Sequence, residues 1–398
     1  MAFGDFTVDR NSPKWVLDSD GYLKEYANDE PAIEFNADGS YKGVLVEPQS
    51  VNLCKQSEDI NTTWGPLNAT PTAVTDETPD GDTSSKFIKL VDDNTGGGAT
   101  GAVRINQNIT VSGGTKYTAS VFLKKDGLNW AVIEASGSGG TPNSPYQYFD
   151  LDTGVLGTGT AGIENPTIEE YPNDWYRCSV TWTQGAGDTD FNFRIYVAEV
   201  DDSTTVDLDG TSSIFVWGAQ VEASPIATSY IPTTTGAVTR VKDDINLTSA
   251  SSLIGQTEGT LYVEVDWRLA TGTNQYLLSA NDGSSSNRIL IRKTTSDSLN
   301  MLLLSNGSVL TDQGESSTGY SGIQKFAFAY KTDDFELYRN GSSISSDTSG
   351  SLSSLGTLTD VDFGQSNAAS LQANMWIRAV ALFTTRLSDA ECEALTTL

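Results

Sequence analysis

The chain has 398 residues, enough for two or three domains at about 150 residues each. Only 19% of residues are charged, and the abundance of Ser, Thr, Gly, Asn and Asp suits strands joined by turns and excludes long helices as the main element. Twenty-four basic against 52 acidic residues leave a formal charge of −28, which repels phosphate and anionic lipid. The partners expected are therefore neither nucleic acid nor membrane.

The chain contains no histidine, so histidine general bases, histidine metal ligands and Ser-His-Asp triads are excluded. No Gly-rich loop opens a helix, which removes phosphate cradling. Met1 is followed by AFGDFTVDR, with neither a basic nor an apolar leader region, so no secretory signal is read. No run reaches the roughly 18 apolar residues of a spanning helix. Cys54, Cys178 and Cys392 are odd in number, far apart and without metal-ligand spacing, and are expected to be buried, unpaired thiols.

Residues 1–50 read as an N-terminal hairpin and anchoring region. Asp18-Ser19-Asp20-Gly21 supplies turn chemistry between Trp15-Val16-Leu17 and Tyr22-Leu23-Lys24. Trp15, Tyr22 and Tyr26 are too aromatic for a free tail. They are candidates either for docking on their own chain or for a contact that anchors or oligomerises the subunit.

Residues 51–240 read as a jelly roll. Its strands are expected at 86–91, 103–111, 116–125, 129–135, 174–182, 191–197 and 214–222, each alternating in polarity. Pro225, Pro232 and the run Thr233-Thr234-Thr235-Gly236 then interrupt any ladder, and a flexible, solvated joint is expected near Thr233–Lys242.

Residues 241–398 read as a second sandwich, opened by Gly259–Val265. A hairpin of Phe326–Tyr330 and Phe335–Gly341 follows, and the last strand is 376–383. Ser388 and Glu391 form a capping box for a short terminal helix, with Leu387 stapled onto Cys392. The fold class expected is all-β: two tandem jelly-roll β-sandwiches preceded by an N-terminal hairpin region.

Several motifs carry a family resemblance. Trp217-Gly218-Ala219-Gln220-Val221-Glu222 is followed by Ser229-Tyr230-Ile231-Pro232. Upstream stand Gly43-Val44-Leu45-Val46-Glu47-Pro48-Gln49, Val51-Asn52-Leu53, Ser57-Glu58-Asp59 and Trp64, and between them lie Phe149-Asp150-Leu151 and Trp175-Tyr176-Arg177. The set resembles bacteriophage virion proteins of the tail-fibre-like or head-decoration-like kind. In these a carbohydrate-binding-type jelly roll is followed by a laminin-G or concanavalin-A-like domain. Members usually carry Arg-Thr where this chain has Ser50-Val51.

The resemblance implies a non-enzymatic surface protein of a phage particle, made in the host cytoplasm and used on the virion for host adsorption. Its implied partners are other virion proteins, further copies of itself and a host surface glycan. A polysaccharide depolymerase and a cellular carbohydrate-binding protein are the alternatives.

Sugar rings stack on aromatic faces. Trp130, Tyr146 and Tyr148 flank the Gly/Ser/Pro-rich stretch Gly137–Pro145 and are the glycan-binding candidates, with core packing the competing role for Trp130. Trp182 and Trp217 sit in apolar company and are expected in the core. No catalytic residue is assigned. Glu264-Val265-Asp266 resembles the start of the Glu-x-Asp-x-x-Glu strand of laminarinase-type glycosidases, but Leu269 stands where the third carboxylate belongs. No cofactor is expected. Asp150, Asp152, Asp207, Asp209 and Glu222 have the oxygen chemistry of a structural calcium site, without an EF-hand spacing.

Overall fold

Alternating polarity is what the chain turns into structure. The computed structural model describes residues 6–84, 86–95, 99–268, 274–296, 298–316, 321–366 and 372–398. It is all-β, with antiparallel strand pairs throughout these residues and one α-helix among them, Asp389–Thr396. That helix carries the expected capping box between Ser388 and Glu391, and Leu387 packs with Cys392 beneath it.

In the first sandwich one sheet runs Val155–Gly159, Tyr146–Asp150, Trp130–Ser136, Asp190–Ala198, Thr100–Thr110, Thr205–Asp207. The facing sheet runs Glu164–Tyr171, Trp175–Thr183, Lys116–Lys125, Ser213–Glu222, Lys86–Asp92, Ala69–Thr75. Period-two alternation sorts each strand. Phe191, Phe193, Ile195 and Val197 enter the core together with Ala131, Ile133 and Ala135 from the neighbouring strand. Asn192, Arg194 and Tyr196 therefore face outward, as do Trp130, Val132 and Glu134. Each fully buried aliphatic or Phe side chain stabilises by about 1.5–3 kcal/mol. Trp182 lies in this core.

The second sandwich is also two sheets, and the N-terminal segment is built into both. Thr7–Asp9 is the edge strand of one, beside Asp244–Leu247. Ile33–Phe35 and Tyr41–Val46 extend the other, with Val44, Leu45 and Val46 opposite Ile377, Trp376 and Met375. Between these strands the expected hairpin does form, Lys14–Leu17 with Leu23–Tyr26. It covers the outer face of the first sandwich, where Leu17 and Leu23 bury Phe87, Phe122, Trp175 and Trp217. Trp217 is thus buried under this hairpin, on the opposite side of its sheet from the Val216 core. The N-terminal residues clamp both sandwiches.

The joint differs from the solvated linker read from its Thr and Gly content. Residues 234, 235 and 237–239 are exposed, but both ends are tied down. Val238–Arg240 pairs with Ser50–Asn52, and the Thr233 hydroxyl donates to the Cys54 carbonyl at 2.8 Å. Beyond it lies a sealed ion network. Asp243 binds Arg10 at 2.9 Å and Lys14 at 2.6 Å, while Glu47 meets Lys14 at 3.2 Å, Arg240 at 3.5 Å and Arg268 at 2.9 Å. Burial alone would raise the Glu47 carboxyl, but Arg240, Lys14 and Arg268 outweigh it and hold the pKa far below the usual range. Burial lowers the Lys14 ammonium, offset in part by Asp243 and Glu47. Proline and threonine composition carried no trace of these charges, because Asp243 lies 233 residues from Arg10 and 229 from Lys14.

Several of the residues behind the family resemblance meet at this same place, while Trp64, Phe149 and Leu151 lie in the first sandwich's core and Trp175 lies under the hairpin. Glu222 accepts from Ser50, Gln220 and Thr228; the Gln220 side-chain oxygen Oε1 accepts from the Ile231 amide; Asn52 bridges Ala219, Val221 and Ile231. Tyr230 bonds Ser57 and Glu58, and the Ser229 amide donates to Glu47. Burying so many polar atoms is tolerable only because nearly all are paired. The motif is a structural lock between the sandwiches.

Candidate functional site

The outward-facing positions of the first sandwich's Trp130-bearing sheet converge on a recess. Its floor is Val132, Tyr148 and Tyr196, and its walls include Glu134, Tyr146 and the turn Asp202–Thr205. Three strands deliver these side chains. Val132 is opposite both Tyr148 and Tyr196, so the two rings flank one small residue. Tyr146 and Tyr148, two residues apart on one face, meet edge to face with centroids 5.6 Å apart. Trp130 lies on the same face, packed against the same cluster. Its ring edge and Asp201 crowd Gly157 so closely that a Cβ there would lie 2.5 Å from both. All three sequence candidates, Trp130, Tyr146 and Tyr148, therefore share one surface.

The polar groups are as ordered as the rings. Glu134 Oε2 accepts from the Tyr196 hydroxyl at 2.7 Å and from Arg194 at 3.2 Å. The Tyr146 hydroxyl points to Asp202 Oδ1 at 3.4 Å, and Asp201 accepts both the amide and the hydroxyl of Thr158. On the far side of Tyr196 the Arg104 guanidinium lies 5.7 Å from the ring and donates to Asn106 at 2.6 Å. Burial pushes the Tyr148 phenol up to about 12, helped by Tyr146, Asp202 and Asp201. Burial, then the Glu134 bond, does the same for Tyr196. Both phenols stay protonated at any physiological pH. A concavity with ring faces and carboxylate acceptors can hold a polyhydroxylated ring.

No protein family matches the sequence, and no curated protein does. Solved structures overlap part of the chain. The Ruminococcus gnavus IT-sialidase CBM40 shares 17% identity over 37% of this chain and 88% of its own, with a TM-score of 0.32. The SAP-like pentraxin of Limulus polyphemus shares 13% over 35% and 70%, with a TM-score of 0.29. The binding domain of botulinum neurotoxin DC, solved with SialylT, shares 16% over 39% of each chain, with a TM-score of 0.33.

Sequence reasoning missed Tyr196, Glu134 and Asp202. The first two were recoverable, being out of phase with the apolar residues of their strands; Asp202 reaches the recess through a turn that no periodicity foretells. The N-terminal aromatics go elsewhere. Trp15 packs beside Tyr230 and its backbone bridges to that residue; Tyr22 lies over Gly81 and bonds Glu77 and Asn173. Tyr26 packs near Trp376 and donates to the Ile33 carbonyl at 2.9 Å. Trp15, Tyr22 and Tyr26 thus each make contacts within the chain, the first of the two roles weighed for them.

Glu264 is ion-paired with Arg378 at 2.9 Å and accepts from Tyr262; Leu269 lies outside the described residues. The calcium candidates are dispersed. Asp150 caps its own turn through Asp152 and Thr153, Asp152 pairs with Lys125, Asp209 caps Thr211, and Glu222 is saturated in the junction. Among the described residues no group of three or more acidic or Cys side chains is placed to hold a metal.

Proposed function

We propose that the protein is a non-enzymatic structural component of a phage particle's surface (tail fibre, appendage or head decoration) whose first sandwich binds a glycan during host adsorption. The recess carries the binding part of this reading. Trp130, Tyr146, Tyr148 and Tyr196 share one sheet face, bordered by Glu134 and Asp202. Ring faces supply apolar contact to the sugar's C–H surfaces, and the carboxylates and phenols supply orientation. The virion part is supported by the motif resemblance, several of whose residues build a buried lock. The non-enzymatic part is supported by the Glu264–Arg378 pair, which commits the glycosidase-like carboxylate to a structural bond.

The test has two arms. Host surface polysaccharide should bind the purified chain, release no reducing ends, and lose affinity at least ~10-fold in Tyr146→Ala and Trp130→Ala, as aromatic anchors do. Antibodies to the chain should label intact particles. Release of reducing ends would overturn the non-enzymatic assignment, and unlabelled particles would overturn the virion assignment.

A further inference from the structure

The charges around the recess select among sugars. We infer, building on the glycan-binding reading above, that the recess takes an uncharged sugar whose neighbouring hydroxyls donate to Glu134 and Asp202, and that it rejects acidic sugars.

Three carboxylates border the surface, Glu134, Asp201 and Asp202, and the single guanidinium bonded among them is Arg194. Arg194 is already spent on Glu134 Oε2, 3.2 Å away. Glu134 Oε1 accepts no hydrogen bond among the described residues, and neither does Asp202 Oδ2. Each is an acceptor with no protein donor among the described residues. An ionised carboxylate only accepts, so its partner must bring O–H or N–H groups. A pair of vicinal hydroxyls on a pyranose does that, and its C–H face can lie against Tyr146 and Tyr148. A sugar carboxylate brings only acceptors and a like charge. At about 4 Å such a pair already repels measurably in water, and more strongly where the site is partly shielded by side chains. The overall charge of −28 adds to that field.

Arg104 is the one cation nearby whose guanidinium pairs with no carboxylate among the described residues, and it is the place an acidic sugar would have to use. It lies beyond Tyr196, and its Nη1 is held by Asn106 at 2.6 Å. The recess itself offers that sugar no free cation among the described residues.

The experiment is titration calorimetry on the full chain with two sets of probes. The neutral set is maltohexaose, cellohexaose, mannohexaose and chitohexaose; the acidic set is 3′-sialyllactose, hexagalacturonate and a hyaluronan hexasaccharide. At least one neutral probe should bind, with affinity falling ~10-fold in Asp202→Asn and in Glu134→Gln, the loss expected for a hydrogen bond to a charged acceptor. Asp202 is exposed and makes one long bond, so its substitution tests the site without threatening the fold. Two results overturn the inference while leaving a glycan face standing. One is tighter binding of an acidic probe, abolished by Tyr146→Ala or Arg104→Ala. The other is neutral-sugar binding that is lost in Tyr146→Ala but indifferent to both carboxylate variants. If no probe of either set binds, or if none of these substitutions affects binding, both the inference and the reading beneath it fail.

Discussion

The ammonium of Lys14 and the carboxylate of Asp243 meet at 2.6 Å with neither side chain reaching solvent, so the N-terminal hairpin is tied to the first residues of the second sandwich. Arg10 joins the same carboxylate and Glu47 the same ammonium. Removing one member of a buried ionic group leaves an uncompensated charge, which costs about 3–5 kcal/mol. Asp243→Ala is expected to lower unfolding stability in urea by that amount. Both sandwiches should unfold in one transition in the parent protein. Two separated transitions, or a loss under about 1 kcal/mol, would show that the junction does not couple them.

Two buried carboxylates give opposite pH signatures. Glu47 is held far below its ordinary value near 4.5, so the unfolded chain takes up a proton first as pH falls. Its stabilisation is present above about pH 4.5 and declines on acidification. Asp362 is the reverse. Burial raises it to about 7, Asp244 and Asp360 push the same way, and the Asn281 amide at 2.7 Å opposes them. The folded form keeps a proton that the unfolded chain releases near 3.8, so this contribution falls as pH rises from about 4 to 7. Asp362→Asn should therefore raise the Tm at pH 8 and leave it nearly unchanged at pH 4. Each pKa unit recovered is worth about 1.4 kcal/mol. An equal shift at both pH values would remove the protonation argument.

Gly218 sits at the bulge where Phe122 and Ser120 skip register against Trp217 and Gln220. Its φ is +63°, and a Cβ there would lie 2.7 Å from Phe122 and 3.4 Å from Tyr230. Gly218→Ala meets both a disfavoured backbone and a packed ring, and should cost more than the roughly 1 kcal/mol of backbone strain alone. A thermal melt indistinguishable from the parent would mean that the ring moves freely aside.

The three cysteines are free and buried. Burial raises the Cys392 thiol to about 11 and pushes Cys54 and Cys178 well above the ordinary thiol range, so little thiolate is available at neutral pH. Iodoacetamide should label none of them in the native protein within an hour and all three in guanidinium. Rapid native labelling of Cys54 would place it outside the core.

Much of the fold was legible because strand alternation is a local property. Tyr117 to Leu123 and Phe191 to Val197 announce which side faces inward without knowledge of their partners. The Ser388 capping box is equally local. Residues 275–316 gave less away. Four successive strands form there, and Leu290 and Leu302 are buried on the outer face opposite the Ile289 and Leu303 core, which blurs the alternation. The site was half legible. Trp130, Tyr146 and Tyr148 were visible as aromatics near a loop, whereas Glu134 and Asp202 became site residues only when Asp190–Ala198 and the following turn closed over them. The ion network at the junction was not legible, since a buried Arg10 or Lys14 looks in sequence like any surface cation.

Deleting residues 2–42 tests the clamp, and the outcome expected differs from what a separable hairpin region would give. The deletion removes Thr7–Asp9 from one sheet of the second sandwich, and Ile33–Phe35 with the start of Tyr41–Val46 from the other. It takes Arg10 and Lys14 from Asp243, leaving that buried carboxylate without either cation. It also strips Leu17 and Leu23 from Phe87, Phe122, Trp175 and Trp217, opening a contiguous aromatic face to water. Large apolar patches of this kind drive association. The truncated chain is therefore expected to aggregate or bind a hydrophobic dye at once on purification, and to lose the sharp melt of the parent. Supplying residues 2–42 as a synthetic peptide should restore part of the near-ultraviolet signal, because the clamp strands can pair in trans. A truncated protein that stays monomeric, binds no dye and melts within a few degrees of the parent would show that the two sandwiches stand without the N-terminal strands.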